Sequence, residues 1–375
     1  MEYRKKKLTY KFRIYPTPAQ TRILEETLET CRRLYNSMLA DRMENGRGFY
    51  DQEKMLVELK RDDKNLKSVH SQVLQDVVLR IDKACQAFFA GLSKYPKFRR
   101  SGRYNSFTYP QSGFRIEGGR VIKLSTIGKV RVTLHRHVTG AIKRATVIRD
   151  IDQWFVALLV EEVPDVVRSG DGKIGVDTGI SKLVALSDGT LIDNPRFLNT
   201  SLERIKSLQR CLSHKKRGSS NREKAKLSLA KAWRQARRQR DDFAHKLSDQ
   251  LTKENRVIIF EDLKIQNMVK NHSLASAIMD AAWGQLRRLT AYKAERRGGR
   301  VILVNPGGTS QKCSGCGEMV PKELSERVHD CPRCGLVMDR DVNAARNILE
   351  RGLEQARVEA EPLLVQRRRI SKFGR

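Results

Sequence analysis

Three acidic residues stand at the ends of segments patterned for regular structure. They are Asp177 in Gly175-Val176-Asp177-Thr178-Gly179, Glu261 directly after the apolar run 257–260, and Asp341 in Asp339-Arg340-Asp341-Val342-Asn343. If the two strands are neighbours and the helix opened by Asp341 packs across their ends, three carboxylates converge. Like charges held that close repel, so the arrangement calls for cations, and hard divalent ions such as Mg2+ suit oxygen ligands. Two such ions, about 3.5 to 4 Å apart, activate a water and stabilise the leaving oxygen during in-line attack on a phosphodiester. The products would be a 5′-phosphate and a 3′-hydroxyl. Each position also has a plainer reading: Asp177 as a turn residue, Glu261 as a solvated strand end, Asp339 or Asp341 as a helix cap. Asp341 is preferred to Asp339 as the third ligand because it directly precedes Val-Asn-Ala-Ala at the helix start.

A second constellation is made of sulfur. Cys313-x2-Cys316 and Cys331-x2-Cys334 are separated by 14 residues, and each pair is followed by glycine. This is the spacing of a zinc ribbon, in which two thiolate knuckles complete a closed tetrahedral Zn2+ site with a structural role. Disulfides are the alternative, at home in oxidising compartments. Cys31, Cys85 and Cys211 are isolated in helix-like stretches and read as buried thiols. His329 lies near the four-cysteine insert, but four thiolates leave no need for it as a ligand; a surface or supporting position is expected.

The charge of the whole chain names the class of partner. Lys and Arg number 74 against 43 Asp and Glu, a net charge of +31 over 375 residues, spread along the chain. An excess of this size points to extended phosphate contacts whose strength falls with salt. No apolar run approaches the roughly 18 residues needed to span a bilayer, and the first residues, MEYRKKKLTYKF, lack an apolar signal core. No membrane association and a cytosolic location, bacterial or archaeal and near the nucleoid, are expected.

The elements that must position these groups follow from periodicity. Residues 10–14 alternate apolar and charged, as a half-buried strand does, and Thr17, Pro18 and Gln20 form a helix start. Leu24, Leu28, Cys31, Tyr35 and Met38 make one helical stripe, and Val73, Val77, Ile81, Cys85 and Phe88 another. From residue 94 to 163 the character turns to β, read as a small barrel or sheet to which 10–14 may be added. After a polar linker near 165–172 the order is strand, hairpin, a long basic helical segment over 200–251, strand 256–260, helix 275–296 and strand 301–304. The cysteine insert, a final helix from about Val342 and an Arg-rich tail follow. The fold class expected is multidomain α+β.

Several stretches together resemble the TnpB family of insertion-sequence proteins: Tyr10-Lys-Phe-Arg-Ile-Tyr-Pro-Thr17, Arg33-Leu-Tyr-Asn36, Val176-Asp-Thr-Gly-Ile180, Arg240-Asp-Asp-Phe-Ala-His-Lys-Leu-Ser248, Glu261-Asp-Leu263, Thr309-Ser-Gln-Lys-Cys-Ser-Gly-Cys-Gly317 and Asp339-Arg-Asp-Val-Asn-Ala-Ala345. The match runs to about Leu349, dense after Gly172 and thin between 40 and 70. The resemblance implies an RNA-guided DNA endonuclease related to type V CRISPR effectors, with a noncoding guide RNA, a target DNA and one RuvC centre, RNase H-like in fold. It carries the catalytic triad onto Asp177, Glu261 and Asp341. It also implies a wedge strand over 1–16, a helical recognition lobe over 17–93, a wedge β-barrel over 94–168, a RuvC nuclease domain over 169–308 and the C-terminal RuvC helix over 339–361; the cysteine spacing places a zinc ribbon over 309–338, and the Arg-rich composition after it predicts a disordered basic tail over 362–375. Gln75 and Thr108 fall where relatives touch the motif beside the target. One chain per guide RNA is favoured.

Delegating sequence reading to base pairing leaves the protein to supply basic channels for a heteroduplex backbone. Lys215, Lys216, Arg217, Arg222 and Lys224 are candidates for such a wall, with a solvated helix face as the alternative. A competing function is a guide-dependent DNA-binding regulator without cleavage. Loss of a triad carboxylate would mark it, and all three are present.

Overall fold

A computed structural model describes residues 6–162, 169–268, 270–323 and 325–372. The chain divides into two compact units, Met1–Pro164 and Asp165–Arg375. Among the described residues no helix is long and apolar enough to cross a membrane.

In the first unit, β1 (Lys6–Tyr15) buries Tyr10, Phe12 and Ile14 and exposes the charged residues between them, the period-two pattern of a sheet with one covered face. Thr17 caps α1 (Pro18–Asn45): its hydroxyl accepts from the Gln20 backbone N–H at 3.2 Å, while the Gln20 side chain accepts from the Thr17 N–H at 3.0 Å. Helices α2 (Phe49–Asp62), α3 (Lys64–Lys67) and α4 (Ser71–Phe89) follow, and α1 and α4 pack along their apolar stripes. Six further strands complete the unit: β2 (Ser106–Tyr109), β3 (Phe114–Glu117), β4 (Val121–Leu124), β5 (Gly128–Thr133), β6 (Ala141–Asp150) and β7 (Gln153–Glu162). All pair antiparallel in the order β2-β6-β7-β1-β5-β4-β3. Among the described residues nothing pairs β2 with β3, so the expected wedge barrel is an open sheet. Its edge strands β2 and β3 are four residues long, and each has one hydrogen-bonded neighbour, β6 and β4.

The second unit is built on a five-stranded mixed sheet in the order β10-β9-β8-β11-β12. Its members are β8 (Gly172–Thr178), β9 (Lys182–Leu186), β10 (Leu191–Asp193), β11 (Asn255–Glu261) and β12 (Arg300–Val304). The first three form a meander, while β11 runs parallel to both β8 and β12. Between β10 and β11 lie α5 (Phe197–Ser213) and α6 (Ser220–Glu254), and between β11 and β12 lie α7 (Ile265–Met268), α8 (His272–Ala281) and α9 (Trp283–Arg296). One face of the sheet, with Ile174, Val176, Ile258 and Phe260, is covered by Leu247 and Leu251 of α6 and by Trp283 and Leu286 of α9. The hairpin β13 (Val328–Asp330) and β14 (Val337–Asp339) then leads into α10 (Arg340–Lys372), which covers the other face through Ile348 against Ile259, Ile302 and Val304.

Three expectations about helices are corrected. The basic segment 200–251 is two helices, because Gly218 takes a left-handed φ of 81° and Ser219 caps α6 by accepting the Arg222 N–H at 3.2 Å. The helix expected over 275–296 is interrupted at Ala282, whose φ is 53°. The last helix continues in its backbone to Lys372, through the stretch expected as a disordered tail; Ala, Leu, Glu, Gln and Arg are good helix formers. The final three residues of that tail, 373–375, lie outside the described residues.

Candidate active site

Strand register brings the first two carboxylates together. β11 pairs with β8 so that Phe260 lies opposite Val176, and each strand places its acid one residue later, Glu261 beside Asp177 at the same carboxyl end. Side chains alternate along a strand, so Asp177 shares a face with Gly175, and Glu261 with Ile259. That is the face covered by α10. The helix lies very close: a Cβ on Gly175 would fall 2.1 Å from the Ala345 carbonyl oxygen, and one on Gly352 2.5 Å from Ile259. Glycine at 175 is thus required by the approach of a backbone, and the approach draws the amino end of α10, with Asp341, toward the two strand ends.

Asp339 and Asp341 divide the work at that helix start. Asp339 caps α10, its Oδ1 accepting the N–H of Asp341 at 2.8 Å and of Val342 at 3.2 Å. The Asp341 carboxylate is therefore not consumed as a cap; it meets the guanidinium of Arg340 at 3.2 Å and that of Arg327 at 3.8 Å. Glu261 accepts a hydrogen bond of 2.6 Å from the Thr309 hydroxyl. Burial pushes Glu261 above the usual carboxylate range, and the Thr309 hydroxyl and Arg351 guanidinium oppose it. Asp177 is pushed up to about 8, first by burial and then by the negative charges of Glu261 and Asp341. Such a site must take up a proton or a cation, and its all-oxygen donor set fits a hard divalent ion.

The four cysteines form a tight group. The ligand atoms of Cys313, Cys316, Cys331 and Cys334 all lie within 4.8 Å of one another. Cys313 and Cys334 sulfurs are 3.6 Å apart, as are those of Cys316 and Cys331. A disulfide needs about 2.05 Å. Ligands on a tetrahedral ion with bonds of about 2.3 Å sit roughly 3.8 Å apart, so the thiols fit Zn2+. Both knuckles fold alike: Gly317 N–H donates to the Cys313 carbonyl and Gly335 N–H to the Cys331 carbonyl, each at 2.9 Å, with φ of 79° and 71°. The glycine after each second cysteine supplies that left-handed turn. His329 is fully buried in the hairpin, not on the surface, with Nδ1 against Lys322 Nζ. Of the isolated cysteines, Cys31 and Cys85 are buried and Cys211 is exposed.

The two centres are stitched together by residues that composition alone did not single out. Asn343 donates to the Lys312 carbonyl at 2.8 Å and accepts from the Ser314 N–H at 2.9 Å, while Asn347, one turn on, donates to the Thr309 carbonyl at 2.8 Å. Trp283 donates from its indole to the Gly179 carbonyl at 3.1 Å, just beyond Asp177. The available signals were a threonine four residues before Cys313 and two asparagines at helical spacing after Asp341.

The other candidates stand on other elements. Gln75 is exposed on α4 and lines a cavity of about 330 Å³ with Leu56, Lys60 and Leu74. Thr108 is 3% exposed, and its hydroxyl is engaged by Arg80 at 2.7 Å and Thr146 at 3.0 Å, so it does not reach the surface. Lys215, Lys216 and Arg217 are exposed, but in the turn between α5 and α6 and not on a helix. Arg222 spends its guanidinium on the carbonyls of Leu212 and Lys215, both at 2.9 Å, closing that turn, while Lys224 is exposed.

Comparison with known proteins adds the following. A Cas12f1-like TNB domain matches residues 283–348, the OrfB_IS605 family, described as a probable transposase, matches 157–272, and the OrfB_IS605 helix-turn-helix domain matches 1–47. A Streptomyces pristinaespiralis protein whose name proposes an RNA-guided DNA endonuclease is 36% identical over 364 residues, 92% of this chain and 90% of its own. InsQ of Escherichia coli K12, named in the same terms, is 32% identical over 368 residues, 92% of each chain. In fold, the chain is similar to Cas12f1 solved with its sgRNA and target DNA, with a TM-score of 0.58 and 11% identity over 92% of this chain and 98% of that one.

Proposed function

The chain belongs to the TnpB family of insertion-sequence proteins, and from that premise we propose that it is an RNA-guided DNA endonuclease whose RNase H-like, RuvC-type centre is made of Asp177, Glu261 and Asp341. The observation that carries the reading is the convergence of three acids from β8, β11 and α10, where burial first and then the charges of Glu261 and Asp341 push Asp177 up to about 8. A protein does not gather buried like charges for stability, since each must be desolvated. Asp177, Glu261 and Asp341 would hold two Mg2+ ions, which when bound activate the attacking water and offset charge on the leaving oxygen. Thr309 orients Glu261, and Arg327 and Arg340, close to Asp341, add positive charge for a phosphate.

The surrounding assignments follow. Cys313, Cys316, Cys331 and Cys334 hold a structural Zn2+ that fixes the loop bearing Thr309 and the start of α10. The net charge of +31 serves guide RNA and target DNA, with Lys215, Lys216, Arg217 and Lys224 as backbone contacts. Gln75, exposed beside its cavity, remains a candidate for the motif beside the target; Thr108 would act only by holding Arg80. The protein works in the bacterial or archaeal cytosol as one chain per guide. The residue ranges given above, with the barrel replaced by an open sheet, describe its wedge, recognition, nuclease and ribbon parts.

The test is purification with RNA transcribed from the flanking locus, followed by plasmid cleavage with Mg2+. Wild type should cut at the guide-matched sequence. Asp177→Asn and Glu261→Gln should abolish cutting while target binding persists; full cleavage by either variant would remove the assignment.

A further inference from the structure

Between Lys83 and Ile116 the sequence holds seven Lys and Arg and no acidic residue. The same stretch turns large apolar side chains outward: Phe89 is 79% exposed, Leu92 82% and Phe98 53%. Phe89 and Phe88 rings meet edge to face at 5.4 Å, and Phe88 meets Tyr95 at 5.2 Å, so three rings run in series from the end of α4 into the loop.

This loop is held from beneath. The N–H groups of Leu92 and Ser93 both donate to the Ala87 carbonyl, at 2.9 and 3.2 Å. Farther on, the Arg99 N–H donates to Asn36 Oδ1 at 2.7 Å, its carbonyl accepts from Asn36 and Arg32 at 3.0 Å each, and its guanidinium lies 5.5 Å from the Tyr35 ring centre. A secured loop that shows rings to solvent amid unopposed positive charge has the two parts of a single-strand binding surface: π-faces for bases and cations for the backbone.

We propose that residues 88–103 form a stacking platform for single-stranded RNA, with Phe89 and Phe98 taking bases and Lys94, Lys97 and Arg100 the phosphates. The proposal rests on the RNA-guided reading above, which also selects RNA over DNA. Exposed rings favour association in the free protein, so they are best covered by a partner that stays bound, and the resident strand is the guide, not the transient target.

The full-length chain is titrated with labelled uridine 15-mer, thymidine 15-mer and a 15-base-pair RNA duplex. The surface variant Phe89→Ser with Leu92→Ser and Phe98→Ser should bind the uridine 15-mer about tenfold or more weakly, with duplex binding and melting temperature unchanged. Lys94→Gln with Lys97→Gln and Arg100→Gln should weaken both and flatten the salt dependence. A 4-thiouridine 15-mer should crosslink to the peptide holding Phe89 or Phe98. Unchanged uridine binding by the serine variant overturns the platform, as does an effect confined to the thymidine 15-mer or to self-association seen by light scattering. If guided plasmid cleavage stands while the serine variant binds RNA normally, this inference fails alone; if wild type neither binds RNA nor cuts, both readings fail.

Discussion

The cysteine cluster and the carboxylate cluster sit within one unit and are organised by opposite means. The four thiols are brought within 4.8 Å by two short knuckles, each closed by its own backbone hydrogen bonds and glycine. The acids come from β8, β11 and α10, more than 160 residues apart in sequence at the extremes, and depend on strand register and on one helix approaching closely. The first centre is a local fold; the second is a long-range construction in which the fold holds charges that would otherwise separate. Structural ions are therefore expected to report on stability, and the acids on activity.

That contrast can be broken most directly at Asp177. Asp177→Asn should lower guided cleavage by about a thousandfold or more, since a lost ligand removes several kcal/mol of charge stabilisation, while raising or leaving unchanged the melting temperature. A marked loss of stability would mean the acids are structural like the thiols. Next is Cys313→Ser, expected to release zinc, measured by atomic absorption, and to lower the melting temperature by several degrees or leave the protein insoluble. Brief EDTA treatment followed by Mg2+ should restore cutting without loss of zinc, separating the two centres. Gly175→Ala tests the helix approach: the new methyl meets a carbonyl oxygen, and overpacking of about 1–3 kcal/mol should appear in urea denaturation together with reduced cleavage.

Smaller effects sharpen the picture. Thr309→Val should reduce cleavage about tenfold with target binding intact, and Thr309→Ser should largely restore it, because the serine hydroxyl can still orient Glu261. Asp249 marks the lower end. Burial raises it, but Lys253 and Arg297 overcome this and hold it at about 2, so its stabilisation is full above an unfolded value of about 3.9 and is lost as pH falls toward 2. Being partly exposed, it should contribute under about 1 kcal/mol, and Asp249→Asn should flatten the acid limb of a pH–stability curve by that amount.

The thiol spacing and the strand ends at Asp177 and Glu261 could be read from sequence because each is written in a few consecutive residues. The break at Ala282 could not: an alanine at a φ of 53° is set by tertiary context, among it the Trp283 indole bond to Gly179. The α5–α6 turn was in principle visible in Gly218-Ser219, yet the basic run around it continued the helical pattern. The open sheet was hidden because alternation reports burial of one face and says nothing about how edges end. The Thr309–Glu261 bond joins residues 48 apart and had no local mark.

The junction at Asp339 and Arg340, where β14 passes into α10 without a linker, has a bearing on how this protein can vary. One residue added between Cys334 and Asp341 would slip β14 by one position against β13, which turns its side chains to the opposite face, or bulge the strand, and either change displaces the acid at the helix start. Length changes should therefore be tolerated after Pro321, on the outer side of the first knuckle, and punished between Cys334 and Asp341. The hairpin behaves as a fixed gauge block, and families of such chains would be expected to keep its second half at constant length while the first half grows and shrinks.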